Sequence, residues 1–441
     1  MLTQDEQLYV ADPLALHHIV VKDQYIYEET DMFISTNLLI FGSGLLSTLG
    51  DHHRRQRKML NPVFSLKHMR DLIPIFYPIA HQLREVLVRE VRNGTEEVNV
   101  MSWMSRAALE FIGQGGLGYT FGALDEGKRN AYSESIRLLS YTNFSLMLPR
   151  QFLPWISNIG SPAFRRKVVE WMPYDAVNKM AIKAGDDEVR KQVGKGKDIM
   201  SILLKANMEA SEEDRLPESE ILGQMNSFLF AGHETTTGAV SRILHQLALN
   251  PDVQSRLRDE VSAARKEHGD LEYDVLMGLP YLDAICRETL RVYPPVTQLS
   301  RTTKNDVIMP LMWPIKSADG KSEIKEISLK KNTNVIISII GANRSKLIWG
   351  EDAEEWKPER WLEPLPESVS KAHLPGVYAS IAPKDDVPWW RKSMHWIQVR
   401  RDGNENGPFD ITRNICFLSW SRDFLDDEYT GVSYHKGPDW I

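Results

Sequence analysis

The segment Gly232-His233-Glu234-Thr235-Thr236-Thr237 interrupts an otherwise apolar stretch from Ile221 to Leu249. A glycine, an acid and three threonines suit the middle of a buried helix poorly, because glycine costs backbone entropy and threonine loses rotamer freedom. Chemistry gives them a use. Threonine hydroxyls bond back to carbonyls one turn earlier and bend the helix. A glycine removes side-chain bulk and lets a flat ligand approach closely. An acid beside hydroxyls in an apolar wall forms a proton relay. The competing reading is a tolerated polar patch facing solvent. A second pair, Glu288 and Arg291, stands three residues apart, where side chains share one helical face. Alone it carries little, since most such pairs are surface salt bridges worth under about 1 kcal/mol. Its weight comes from its place, after the apolar-periodic Leu279 to Ile285 and before Val292-Tyr293-Pro294-Pro295, which ends the helix. A third group is the basic run His52-His53-Arg54-Arg55-Gln56-Arg57-Lys58.

These residues need helices to position them. Helical periodicity dominates from about 51 to 300, with apolar spacing clear over Leu72 to Val91 and Val100 to Phe121. Glu218 to Asn250 predicts a long, mostly apolar helix, and Pro251 to Glu267 an amphipathic one with proline suited to its first turn. Pro149, Pro154 and Pro162 break their region into short pieces, and Gly185 to Lys197 reads as an exposed charged loop. Between 301 and 345 the texture turns to strands at Val307 to Met309, Ile324 to Leu329 and Val335 to Ile340, with Asp319-Gly320 a hairpin turn. The fold class is mainly α, in the α+β sense: a helical body with a small β region and no internal repeat. After about Ser380 neither period persists.

With 441 residues, 42% of them hydrophobic and 26% charged, the chain has ample material for a large core. The net charge of -7 argues against nucleic acid as a partner. The two cysteines, Cys286 and Cys416, make neither a Cys-x-x-Cys zinc spacing nor a disulfide framework. No run of 18 or more apolar residues suggests a bilayer span.

Taken in chain order, the motifs acquire a family. Phe230-Ala231-Gly232-His233-Glu234-Thr235-Thr236 resembles the oxygen-activation helix of cytochromes P450. Glu288-Thr289-Leu290-Arg291 with Tyr293-Pro294-Pro295 resembles that family's Glu-x-x-Arg helix, and Lys357-Pro358-Glu359-Arg360-Trp361 its Pro-Glu-Arg-Phe stretch. Three motifs in family order are far more specific than any one. The resemblance covers roughly 1–380 and looks most like fungal microsomal members. It implies a haem-thiolate monooxygenase carrying haem b. Glu234 and Thr235 would be the catalytic pair, delivering protons and holding bound oxygen or water. Ala231 and Gly232 would lie against the cofactor, and Arg360 would join Glu288 and Arg291 in a structural triad. Where the family has Trp-x-x-x-Arg reaching the haem propionates, this chain has His53-Arg54-Arg55-Gln56-Arg57, so His53 and Arg57 take that role; the alternative is a solvated basic helix face. The implied partners are a hydrophobic small molecule and NADPH-cytochrome P450 reductase. The implied location is the cytosolic face of the endoplasmic reticulum membrane, although no anchor is seen in this chain. The apolar Asn143 to Leu148 would help to line the substrate pocket. Family members usually carry an anchor, a hinge, a first helix and a first strand before the segment resembling Leu8 to Pro13.

One family segment is missing. The haem loop Phe-x-x-Gly-x-Arg-x-Cys-x-Gly does not occur in frame. Cys286 precedes Glu288 on the wrong element, Cys416 lacks flanking glycines, and His395 has no supporting loop. The genetic code offers an account. If Asp385 to Val399 is read one nucleotide forward, Trp389-Trp390 and Trp390-Arg391 must each give glycine. Met394-His395 must then give cysteine, and Trp396-Ile397 glycine. The remaining codons permit Met-Thr-Phe-Leu-Gly-Gly-Gly-Arg-Ala-Cys-Ile-Gly-Phe-Lys-Phe, a family haem loop. The expectation is therefore a P450-like domain over 1–380 and an out-of-frame or disordered 381–441. No metal ligand is in frame, and the expected cysteine codon spans Met394 and His395. A haem-free pseudoenzyme that keeps a hydrophobic cavity is the alternative function.

Overall fold

The computed structural model describes residues 7–93, 98–125, 196 and 198–374. Its described part is helical through the middle, with strands gathered from both ends of the sequence. Strands β1 (Gln7–Val10), β2 (Tyr27–Glu29), β3 (Gln298–Thr303) and β6 (Asn334–Ser338) form one sheet in the order β1-β6-β3-β2. Within it β1 runs parallel to β6, while β3 is antiparallel to both of its neighbours. The hairpin of β4 (Val307–Lys316) and β5 (Glu323–Leu329) stands apart, and Gly320 supplies the positive φ its turn requires. Short helix α1 (Pro13–His17) is tied to this hairpin by Asp12. The Asp12 carboxylate accepts from the Ala15 amide, capping the helix, and also from the Met312 and Trp313 amides.

The helical body contains α2 (Asp31–Phe41), α3 (Gly50–Leu60), α4 (Leu66–Arg92), α5 (Val100–Phe111) and α6 (Ile199–Glu209). It continues through α7 (Glu218–Leu249), α8 (Pro251–His268), α9 (Tyr273–Met277) and α10 (Pro280–Val292). The long helix α7 matches the stretch predicted from sequence to within one residue. The periodicity of Val100 to Phe121 breaks earlier than expected. Helix α5 stops at Phe111, a wider turn covers Ile112–Leu117, and Gly118 at φ 66° turns the chain away. Val335 to Ile340 also divides: the strand ends at Ser338, whose hydroxyl caps the short α11 (Ile339–Asn343). Two more short helices, α12 (Lys346–Trp349) and α13 (Glu367–Ala372), follow.

The largest core lies among α4, α5, α8, α9, α10 and the C-terminal half of α7, and a second covers the sheet. The N-terminal half of α7 crosses the loop before α3 with backbone nearly touching backbone. A side-chain carbon added at Gly223 would meet the Gly44 nitrogen at 2.6 Å, so both positions require glycine. Residues 143–148, the prolines between 149 and 162, and the whole of 381–441 lie outside the described residues.

Candidate active site

The polar insert occupies the middle of α7, and the helix divides it between two sides. Gly232, His233, Thr236 and Thr237 are buried, which removes the reading of a solvent-facing patch; Ala231, Glu234 and Thr235 are half-buried. The Thr235 hydroxyl donates to the Ala231 carbonyl at 2.7 Å, and Thr237 makes the same bond to His233. Both are the back-bonds expected of threonine inside a helix. Residues 231, 234, 235 and 238 follow the three- and four-residue spacing that places side chains on one face. On that face Gly238 has nothing within 4 Å of where a side-chain carbon would stand. Gly232 behaves otherwise. A carbon there would lie 3.0 Å from Ile112, so its missing side chain serves close packing against the turn after α5. The small residues on the open side are Ala231 and Gly238, and Gly238 drew no notice in the sequence.

The Glu288–Arg291 pair is no surface salt bridge. Both side chains are completely buried, and the guanidinium grips the carboxylate with Nε at 2.8 Å and Nη2 at 2.7 Å. Its remaining protons go to the carbonyls of Asn343, Ala353 and Glu355. Arg360 reaches the same carboxylate at 3.4 Å from a single helical turn, Pro358–Trp361, and the Trp361 indole donates to it at 3.0 Å. The predicted triad is thus assembled, with all five guanidinium protons of Arg291 used, as a buried ion pair demands. Asp352 accepts from the far side of Arg360 at 2.9 Å, which holds its carboxyl below the usual range. The sequence motif named neither Asp352 nor the indole bond.

Helix α3 presents two different basic faces. Arg54 and Lys58 are exposed and meet Tyr25, Asp51 and Asp214. His53 and Arg57 are half-buried on another face, toward Arg301 of β3. Burial, with Arg57, Arg301 and His52 nearby, pushes the His53 imidazole down to about 4. Burial also lowers Arg57 to about 10. Arg301 is bonded to Glu29, whose own carboxyl burial pushes upward despite that partner. The Arg57 guanidinium and the Arg301 guanidinium, the latter bonded to Glu29, thus flank a neutral His53 imidazole, at a place on two elements where added positive charge is disfavoured. Arg301 was missed from sequence because no motif surrounds it. Gln56 fixes this helix to α7, donating to Glu220 at 2.8 Å, and His52 pairs with the same acid at 2.9 Å.

Cys286 is sealed in the helical core. Among the described residues no cluster of three or more His, Cys, Asp and Glu side chains forms a metal site. Cys416, His395 and the Met394–His395 junction lie outside those residues. Among them, too, no helix is long and apolar enough to cross a membrane.

Comparison with known proteins agrees with this architecture. The family profile "Cytochrome P450" matches residues 1–375. The chain is 48% identical over 396 residues to cytochrome P450 monooxygenase 91 of Postia placenta, covering 85% of this chain and 73% of that protein. It is 40% identical to ganoderic acid synthetase CYP5150L8 of Ganoderma lucidum, with the same coverage of both. A crystal structure of a cytochrome P450, CYP102L1, shares the fold at a TM-score of 0.64 and 20% identity, covering 95% of this chain and 81% of that one. On the motifs, the assembled triad and these similarities together, the chain belongs to the cytochrome P450 monooxygenase family.

Proposed function

We propose that this chain is the body of a haem-thiolate monooxygenase for a hydrophobic small molecule, drawing electrons from an NADPH-fed flavin reductase, with its axial cysteine encoded one nucleotide out of frame beneath Met394 and His395. The family implies haem, and the observation that carries the reading is the half-buried face where the Arg57 and Arg301 guanidiniums meet the neutral His53 imidazole. Haem presents two carboxylates, and these residues would hold them. The iron end is a different matter. Cys286 is buried in the core, so none of the described cysteines fits as the axial thiolate. The family match ends at residue 375, shortly before the codons that the shifted frame forces to Gly-Gly, Cys and Gly. That coincidence supports displacement over loss.

Haem held by a cysteine thiolate would supply dioxygen activation. The protein's own part follows from α7. Ala231 and Gly238 keep one helix face low enough for a flat group to lie against it. The apolar wall on either side excludes water and strengthens polar contacts within it. Thr235 holds its hydroxyl against the Ala231 carbonyl and so offers its oxygen as an acceptor toward the open face. The half-exposed Glu234 passes protons between solvent and that face. By the same family reading, the intact protein works at the cytosolic face of the endoplasmic reticulum membrane.

Genomic DNA across codons 378–400 tests the frame. The chain as written and a frame-corrected chain are then expressed, reduced and exposed to carbon monoxide. A thiolate-type Soret shift in the corrected chain alone is expected. The same shift in the chain as written overturns the displaced-ligand reading. Haem-free protein from both sequences favours the pseudoenzyme.

A further inference from the structure

We infer that Glu29 is an internal carboxylate that occupies Arg301 and competes there with the carboxylates of an incoming ligand. The inference deepens the carboxylate-holding role proposed for His53, Arg57 and Arg301, and rests on it. Glu29 of β2 and Arg301 of β3 stand directly opposite each other in the antiparallel register. Their side chains meet as an ion pair, in which Arg301 Nη1 donates to the Glu29 carboxylate oxygen Oε2. The same nitrogen donates to the Ser300 carbonyl at 3.0 Å. A guanidinium has five hydrogens, and it grips a planar carboxylate best with two of them from neighbouring nitrogens. With Nη1 engaged twice inside the chain, the Nε and Nη2 edge is what Arg301 has left for a second carboxylate. A ligand taking that edge would bind beside a negative charge already in place.

The other acids of this region are engaged elsewhere. Glu28, which strand alternation turns to the opposite face, meets Lys304 at 3.7 Å, and Asp31 meets the same lysine at 3.7 Å. Asp51 pairs with the exposed Arg54 at 2.9 Å. Among the described residues, Glu29 is the one acid in ion-pair contact with Arg301. The Glu29 side chain is 28% exposed and that of Arg301 13%, so water and salt screen the pair only in part. Burial pushes the Glu29 carboxyl above its usual range, and Arg301 pulls against that. A carboxylate so poorly hydrated depends on its cation, and a second carboxylate brought to the same cation meets it at short range. A plain cross-strand pair is the competing role. Such a pair would steady the sheet and leave ligand affinity untouched.

The test uses the full chain without haem and two iron-free probes, protoporphyrin IX and its dimethyl ester, which share a ring and differ in their free carboxylates. Binding is read from quenching of tryptophan fluorescence. Glu29→Gln removes the charge but keeps an oxygen that accepts from Arg301. It is expected to tighten protoporphyrin IX by about three- to tenfold and to leave the ester unchanged. A selective gain in affinity is not something that damage to the fold produces. Glu29→Asp, which keeps the charge on a shorter arm, should fall between parent and Glu29→Gln. Adding Arg301→Ala to Glu29→Gln should cancel the gain. Unchanged or weaker protoporphyrin IX binding by Glu29→Gln, with the parent still preferring the acid to the ester, overturns the inference and leaves the carboxylate reading standing. A gain that survives Arg301→Ala overturns it as well. Equal binding of acid and ester in parent and variant alike overturns the carboxylate reading and the inference together. Because the probes carry no iron, none of these outcomes depends on the axial cysteine.

Discussion

At the scale of single residues, burial decides what each charge does. His53 is the clearest case. Unfolded, it takes up a proton near pH 6.5; folded, only near about 4. Between those values the unfolded chain binds more protons, so acid favours unfolding, while above about pH 6.5 the residue contributes no pH dependence. The loss on acidification through that window is roughly 2–3 kcal/mol after allowance for screening. His53→Gln should flatten this part of the profile, as read from urea midpoints at about pH 7.5 and about pH 5. An equal fall in parent and variant refutes the burial argument. The Glu288–Arg291 pair behaves oppositely, because each charge is matched. Arg291→Ala leaves a carboxylate in the core and should cost about 3–5 kcal/mol in chemical unfolding. Arg360→Ala should cost less, since its contact with Glu288 is longer and Arg291 still satisfies that acid. The pair was legible from sequence through its motif. The tryptophan indole, Asp352 and Arg301 were not, because their partners come from distant positions whose approach only the fold sets.

Elements carry a different kind of information. Helices were legible wherever apolar residues recur at helical spacing, and α7 and α8 emerged almost to their ends. The main sheet was legible only in β6. Its strand β1 is only four residues long and pairs with β6 from the other end of the chain, and β3 reads Gln-Leu-Ser-Arg-Thr-Thr, too polar to announce itself. Glycines within α7 were equally opaque, because composition does not say which are needed. Gly223 faces backbone, and Gly238 faces open space. Gly223→Ala should therefore destabilise by about 1–3 kcal/mol, as overpacking does. Gly238→Ala should stabilise the haem-free protein by about 0.5–1 kcal/mol, the difference in helix propensity. Thermal melts of the two variants check the contrast, and equal effects would refute the assigned packing.

For the whole molecule, the haem loop proposed to be displaced matters through linkage as well as chemistry. A ligand that binds only the folded state stabilises it in proportion to the logarithm of its concentration, by about 4 kcal/mol at a thousandfold excess over its dissociation constant. On the proposed function, His53, Arg57 and Arg301 would hold the haem carboxylates, while the described cysteine, Cys286, is buried in the core. Haem should therefore meet the chain as written through its carboxylate end alone, and the frame-corrected chain through both ends. Titrating haem into each during thermal melts separates these cases. The corrected chain should show a melting temperature that climbs steadily with haem, while the chain as written climbs far less. A further comparison identifies the end responsible. Combining Arg57→Ala with Arg301→Ala should abolish the small rise in the chain as written and only reduce the large one in the corrected chain. Equal rises in the two unsubstituted chains would mean that the displaced cysteine contributes nothing to haem affinity, and the frame argument would fail with it.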